Sequence, residues 1–113
     1  MGYNLEQIQA IADGDQDFII TLVTTFVEEV SADLVTFKQE VAAEKFKDIY
    51  QVSHKIKPNL ELLNMQESFN LNLKILNWAK EETNMSDIAS NFPTLNTMIS
   101  DDIEALKKEF NLS

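Results

Sequence analysis

The scarcity of residues that interrupt helices is the feature that most constrains how this chain can fold. Its 113 residues include only two glycines and two prolines, so long helices with few breaks are expected. Between Ile19 and Val41, apolar residues recur at steps of three or four, which is the spacing of one helical face. No segment alternates apolar and polar residues between turn signals, as a half-buried strand would. The sequence therefore predicts an all-α protein.

Capping residues divide the first part of the chain into a short helix and a long one. The short helix is expected to begin after Asn4, a good N-cap, and to be closed by Gly14. Asp13 or Asp15 is expected to cap the long second helix. A turn near residues 42–44 then leads into a third helix.

Three helices are predicted in the rest of the chain. The third carries the only histidine, His54, and ends near Asn64, a residue type that tolerates the left-handed conformation. The fourth runs from about residue 66 to residue 80. The polar segment 81–93 is expected to be a loop with a short helical turn begun by Ser86, and the last helix follows Pro93. Four long helices with short connections predict one domain, an antiparallel four-helix bundle with a short extra N-terminal helix.

Apolar residues outside the main stripe extend the predicted core. In the second helix they indicate burial on more than one side, and they are Phe18, Ile20, Leu22, Val27 and Val35. The core candidates of the fourth helix are Phe69, Leu73, Leu76 and Trp78.

The charge of the chain argues against nucleic-acid binding. The formal net charge is −10, from 19 acidic residues against nine lysines and no arginine. Such a field repels phosphate backbones, and arginine is the usual bidentate reader of phosphates and bases. Four of the nine lysines nevertheless cluster around the histidine, at Lys45, Lys47, Lys55 and Lys57. This basic cluster indicates a place for an anion, or simply a solvated helix face.

No feature of the sequence predicts secretion or a membrane span. The first ten residues lack the basic region and apolar run of a secretory signal, and the longest apolar runs are far too short to cross a bilayer. Cysteine is absent, which excludes disulfides and cysteine-bound zinc. We expect a cytoplasmic protein, and a monomer because no apolar stripe beyond the core is evident.

Helical projection places His54 at the centre of the solvent face of the third helix. At about 100° per residue, the apolar stripe of this helix lies on the opposite side; it consists of Ile49, Val52, Ile56, Leu60 and Leu63. The residues that share the side of the histidine are Lys47, Tyr50, Gln51, Lys57, Pro58 and Glu61. A buried core histidine is therefore not predicted, whereas an incidental surface histidine remains an alternative.

Other chemistries for a single histidine have little support. No second histidine and no cysteine could complete a transition-metal site, and carboxylates alone would favour hard cations. No nucleophile elbow or glycine-rich oxyanion loop accompanies the histidine, so hydrolase chemistry is not predicted. A neutral imidazole is a nucleophile near neutral pH. Lys57, one turn further on, could neutralise the oxygens of an incoming phosphoryl group.

The stretch His54-Lys55-Ile56-Lys57, followed by a compact residue and later by Leu63, resembles the signature of histidine-containing phosphotransfer (HPt) domains. Upstream, IADGDQDFIITLVTTFVEEV is similar to the acidic-glycine turn and long helix of that family. The detailed resemblance covers roughly residues 4–65, by motif and context. It implies that His54 accepts a phosphoryl group and that Lys57 stabilises that group.

The resemblance also implies partners and a docking face. A receiver-domain aspartate would donate the phosphoryl group and another receiver would take it, in a pathway begun by a sensor or hybrid histidine kinase. The chain would be a phosphotransfer protein rather than a self-sufficient enzyme. It would need no cofactor or metal of its own, since the receiver supplies a divalent metal. The residues expected to contact a docked receiver are Lys47, Tyr50, Gln51, Lys55, Pro58 and Glu61.

The chain departs from the family pattern at two positions. Pro58 replaces the usual glycine, and Asn64 stands where a second glycine often ends the helix. We interpret Pro58 as a steric substitute for glycine that keeps the histidine face open, although an internal proline is expected to kink the helix. Glu61 adds negative charge to a face meant to receive phosphate. Pro58 and Glu61 favour an alternative function, that of a helical-bundle adaptor that binds a signalling partner without being phosphorylated. Ser53 takes the place of a small residue that the family commonly packs inward.

Overall fold

Five helices account for most of residues 2–112, the part of the chain that the computed structural model describes. No strand occurs in that part, which confirms the predicted all-α class. The helices are α1 (Glu6–Ala12), α2 (Gln16–Ala42), α3 (Phe46–Leu62), α4 (Gln66–Lys80) and α5 (Met85–Glu109).

Residues in the left-handed conformation lie in each short connection between helices. They have positive φ angles, which let the chain turn sharply after a helix; they are Asp13, Gly14, Glu44, Asn64, Glu82 and Asn84. Asn64 (φ 51°) follows the end of α3 at the predicted place. Asp15 caps α2, because its side chain accepts a hydrogen bond of 3.1 Å from the Phe18 amide.

The long helices pack around a shared apolar core. α2 contacts α3 and α5, α4 contacts the same two helices, and α1 packs against α2. The molecule measures 44 × 25 × 20 Å along its principal axes. The apolar residues that recur at steps of three or four along α2 are all buried; they are Ile19, Val23, Phe26, Val30, Leu34, Phe37 and Val41. Within residues 2–112, no helix has both the length and the apolar character needed to cross a membrane.

The segment before α1 is attached to both α5 and the connection between α3 and α4. The Tyr3 hydroxyl donates a hydrogen bond of 2.6 Å to Glu109 Oε1. The Gly2 amide donates to Asp102 Oδ1 at 2.9 Å. The Asn4 amide donates to the Leu63 carbonyl at 3.0 Å.

The predicted loop over 81–93 is wrong, because α5 begins at Met85 and continues through Pro93. Ile88 and Phe92 are buried and extend the apolar stripe of this helix towards its start, Phe92 three residues before the buried Leu95 and Ile88 four residues before Phe92. The Phe92 ring also packs on Phe37 of α2, with ring centroids 4.6 Å apart. Pro93 is exposed, so the carbonyl that its missing amide leaves unpaired lies towards water.

Two predictions about the core are only partly right. In α2, Val27 is buried and Leu22 is half-buried, but Phe18, Ile20 and Val35 are exposed. The second helix is therefore buried along one stripe rather than on several sides. In α4, Leu76 is buried, whereas the other three candidates are only half-buried. The buried residues of α4 are Ser68, Asn72, Ile75, Leu76 and Ala79. Two of these five, Ser68 and Asn72, are polar.

Candidate functional site

His54 is exposed on α3, on the side opposite its apolar stripe. All five residues predicted for that stripe are buried. Within residues 2–112, the side-chain hydrogen bonds of α3 involve Ser53 and Lys55 but not the imidazole. The ring of Tyr50, one turn earlier, lies against the histidine with centroids 5.7 Å apart and an interplanar angle of 30°. The imidazole is thus supported on one side and open to solvent.

The other residues predicted to surround His54 also lie at the surface. Lys47, Gln51, Pro58 and Glu61 are exposed, and Lys57 is half-buried. The half-buried state of Lys57 fits a lysine whose aliphatic part covers apolar surface while its ammonium group reaches water. It forms no ion pair with any carboxylate in residues 2–112. No carboxylate in that part of the chain therefore engages its ammonium group.

Lys55 differs from Lys57 because a carboxylate already engages it. Its Nζ donates a hydrogen bond of 2.9 Å to Asp33 Oδ1 on α2. This hydrogen bond and the charge of Asp33 raise the pKa of the Lys55 ammonium above its usual range. The pair links α3 to α2 at the residue next to His54.

A buried polar cluster lies directly behind His54. Ser53 and Asn72 of α4 are both completely buried. The Ser53 hydroxyl donates to Asn72 Oδ1 at 2.8 Å, and Asn72 Nδ2 donates to the Ser53 carbonyl at 3.0 Å. The inward packing expected of Ser53 is confirmed. Because the two bonds join α3 to α4, they hold the next residue, His54, on the outer surface.

Pro58 lies one turn beyond His54 and does not end the helix, since α3 continues to Leu62. Its missing amide leaves the His54 carbonyl without the usual helical hydrogen bond. Both residues are exposed, so water can reach that carbonyl. The surface beyond the imidazole is therefore formed by a compact ring rather than by a long side chain.

Two open grooves flank the histidine ridge and differ in charge. The groove towards α4 has a volume of about 430 Å³ and is lined by Lys47, Tyr50, Ala79, Lys80 and Glu82. The groove towards α2 has a volume of about 290 Å³ and is lined by Asp33, Thr36, Glu40, Asp48, Gln51, Val52 and Lys55. The first carries two lysines and one acid, and the second carries three acids and one lysine. We call the second one the acidic groove.

Two residues of this region, Asp33 and Asn72, were not among the predicted site residues. Asp33 lies within the apolar stripe of α2, between Val30 and Phe37, and a polar residue within such a stripe is the sequence signal that could have identified it. No such signal marks Asn72, because it lies beside the stripe predicted from Phe69, Leu73 and Leu76. Which partner each of them meets depends on how the helices pack.

Comparisons of the chain with protein-family models, with curated proteins and with solved structures found no match. Among the residues that the structure describes, no three His, Asp or Glu side chains form a group that could hold a metal ion.

Proposed function

We propose that this protein is a phosphorelay intermediate in which His54 takes a phosphoryl group from the aspartate of a receiver domain and passes it to another receiver. The observation that carries the proposal is the environment of His54. Its imidazole is exposed and held outward by the buried Ser53 beside it, and Lys57, one turn away, forms no ion pair with a carboxylate of residues 2–112. A macromolecular donor needs this accessibility, because the aspartyl phosphate remains in its own active site.

The transfer requires few groups from this chain. A lone pair on one imidazole nitrogen forms the bond to phosphorus while the bond from phosphorus to the aspartyl oxygen breaks. The carboxylate leaves as an anion, and the proton on the second imidazole nitrogen can exchange with water because the ring is exposed. The Lys57 ammonium stabilises the charge on the phosphoryl oxygens. The divalent metal belongs to the receiver, so this chain supplies a nucleophile and a positive charge.

The arrangement of the helices that we propose is an antiparallel four-helix bundle with α1 at one end. The contacts of α2 and α4 with both α3 and α5 support this arrangement. The connections between the long helices span only three or four residues, which favours antiparallel neighbours. Such a bundle would present the surface of α3 to a partner as a rigid face.

We also propose the other features that the HPt resemblance implies. The protein would be a cytoplasmic monomer acting downstream of a sensor or hybrid histidine kinase. Its partners would dock over the ridge that contains Tyr50, Gln51, Lys55 and Pro58. Lys47 and Glu61 would lie at the two ends of the contact, because they precede and follow those residues on the same side of α3.

One observation favours a second candidate function, an adaptor that binds a receiver without accepting phosphate. Glu61 is exposed one turn beyond Pro58, and its negative charge would oppose an incoming phosphoryl group. In such an adaptor, His54 would have no chemical function. Receiver binding would then survive replacement of the histidine.

The proposal is tested by phosphotransfer from a receiver domain carrying ³²P on its aspartate. We expect acid-labile, base-stable label on this protein, and none on His54→Gln, because a glutamine amide is not a nucleophile. We expect Lys57→Gln to slow labelling by about a hundredfold, the usual effect of losing one stabilising group at a developing charge. Lys38→Gln is the matched control, since Lys38 is an exposed lysine of α2 outside this surface.

Retention of label by His54→Gln would contradict the proposal. Receiver binding without label on any residue would favour the adaptor.

A further inference from the structure

The acidic groove contains buried carboxylate oxygens that lack hydrogen-bond donors. Asp33 is only 6% exposed; its Oδ1 is paired with Lys55, whereas its Oδ2 is buried with no hydrogen-bond partner among residues 2–112. Glu40 Oε2 is likewise buried and unpaired. Burial of a charged oxygen is unfavourable unless donors replace the lost water. The groove is therefore short of hydrogen-bond donors.

The charges of the groove indicate what kind of donor would fit. Three carboxylates, those of Asp33, Glu40 and Asp48, line it with a single ammonium, that of Lys55. The Lys55 side chain is 62% exposed and reaches only one oxygen of Asp33. A further cation with several N–H groups would satisfy the remaining oxygens and offset the excess negative charge.

A metal ion does not fit this geometry. Within residues 2–112, no three acidic or imidazole side chains are grouped closely enough to hold one. A guanidinium group is planar and extended, and it presents five N–H donors that can reach separated carboxylates. The groove is open along its length and has a volume of about 290 Å³, which is enough for such a group.

The position of the groove indicates where the cation comes from. Gln51 and Lys55 line the groove and also flank His54 on α3. A receiver that covers the imidazole would therefore also cover the groove. This chain contains no arginine, so the guanidinium group must be supplied by another molecule.

We propose that the acidic groove between α2 and α3 binds an arginine side chain of the receiver domain that docks over His54, and thereby selects among receivers. The source of the arginine rests on the proposed phosphorelay function. The affinity of the groove for a guanidinium group does not. The second oxygens of Asp33 and Glu40 are covered in the free protein, so on docking these two side chains would turn towards the groove to accept from the arginine, while Lys55 would remain paired with Asp33.

The first experiment tests the groove alone, with agmatine, a small molecule that carries a guanidinium group. We expect saturable amide shifts in a ¹⁵N spectrum, confined to residues 33–40 of α2 and 48–55 of α3. The variants Asp33→Asn and Glu40→Gln should bind agmatine about tenfold more weakly, because each loses a charged acceptor. Glu28→Gln removes an exposed acid of α2 outside the groove and should bind agmatine like the unaltered protein.

The Lys55→Gln variant tests the proposal in the opposite direction, because it is expected to raise the affinity for agmatine. Removal of the only ammonium group in the groove should free Asp33 Oδ1 and tighten agmatine binding. Weaker binding of agmatine by Lys55→Gln would contradict the proposal. So would amide shifts that do not saturate, or an agmatine affinity that is the same in Asp33→Asn and Glu40→Gln as in the unaltered protein. If Asp33→Asn fails to fold, Glu40→Gln decides the question, because Glu40 is only half-buried.

The second experiment uses the receiver from the phosphotransfer assay. Asp33→Asn and Glu40→Gln should weaken receiver binding by about tenfold, while label, once bound, still reaches His54. Agmatine binding without any label on His54 would overturn the proposed function and leave the groove as a cation site. Label on His54 with receiver affinity unaffected by both substitutions would overturn the groove proposal and leave the phosphorelay intact.

Discussion

Ser53 and His54 are neighbours in the chain but lie in opposite environments. The serine is completely buried and hydrogen-bonded to Asn72, while the histidine is exposed. A buried polar pair restricts how α3 can rotate against α4, because rotation would leave donors and acceptors unpaired. This pair therefore determines which residue of α3 faces outward.

We predict that Asn72→Ala lowers the free energy of unfolding by about 1–3 kcal/mol, because it removes both hydrogen bonds of the Asn72 side chain and leaves the buried Ser53 hydroxyl with only a longer bond of 3.3 Å to the Asn72 backbone carbonyl. Ser53→Ala should cost less, since Asn72 Nδ2 still bonds the backbone carbonyl of residue 53. Urea unfolding measures both effects. The double variant should show a coupling energy of about 0.5–3 kcal/mol. Strict additivity would mean that the two side chains do not act together.

At the scale of the element, α3 and α5 each contain a proline within an unbroken helix. Both Pro58 and Pro93 lie on exposed faces, where water can bond the carbonyl that each proline leaves unpaired. The buried stripes of the two helices continue past the prolines and offset their intrinsic cost of about 3 kcal/mol. A proline within an amphipathic pattern is thus compatible with a helix when it falls on the polar side.

Pro58 gives a prediction about the accessibility of the α3 surface. Pro58→Gly should leave the rate of phosphotransfer to His54 nearly unchanged, because neither residue extends a long side chain over the imidazole. Pro58→Gln and Pro58→Arg should slow the transfer by about tenfold or more, since they displace the approaching receiver. The measurement is the initial rate of labelling, with urea unfolding to verify that each variant is folded. Equal rates in all three variants would show that this position does not control access.

At the scale of the whole molecule, the segment before α1 connects distant parts of the chain. Gly2 approaches Asp102 so closely that a Cβ atom at Gly2 would lie 2.7 Å from Asp102 Oδ2. Asp102 is buried on α5 and accepts the Gly2 amide. Burial raises the pKa of the Asp102 carboxyl, and the nearby acids Asp101 and Glu67 raise it further, although the Gly2 hydrogen bond lowers it.

We predict that this carboxyl makes the protein less stable as the pH rises. Because the pKa of Asp102 is higher in the folded state, folding favours the protonated form. The contribution of Asp102 to stability is fully present below pH 3.8, the usual pKa of an aspartate. It is lost as the pH rises through the higher pKa that the carboxyl has in the folded protein. Asp102→Asn keeps an acceptor for the Gly2 amide but cannot ionise. As the pH rises from 3.8 through the raised pKa of Asp102, the free energy of unfolding of Asp102→Asn should therefore fall less than that of the unaltered protein.

Urea unfolding at a series of pH values measures the difference. Glu28→Gln, at an exposed position of α2, is the matched control and should leave the slope unchanged. An Asp102→Asn profile parallel to that of the unaltered protein would contradict the prediction.

Much of the helical content could be predicted from residue spacing. The stripes of α2 and α3 and the exposure of His54 follow from a period of 3.6 residues and from one apolar side per helix. The start of α5 could not be predicted this way, because a polar segment with a proline resembles a loop until Ile88 and Phe92 are seen to be buried. The prediction that α2 is buried on more than one side is wrong for a related reason. Apolar residues beside a stripe remain exposed when no neighbouring helix covers them.

Residue spacing alone is enough to predict that the chain is helical, that His54 is on the outer side of α3, and that lysines surround it. The packing of the helices explains why Lys55 is paired while Lys57 has no carboxylate partner within residues 2–112, because Asp33, the partner of Lys55, belongs to another helix and lies 22 residues earlier in the chain. The packing also brings Asn72 behind the histidine face and leaves the covered oxygens of Asp33 and Glu40 beside the acidic groove without partners in that part of the chain. Helical periodicity arises within one segment, whereas these pairings depend on the relative positions of two helices.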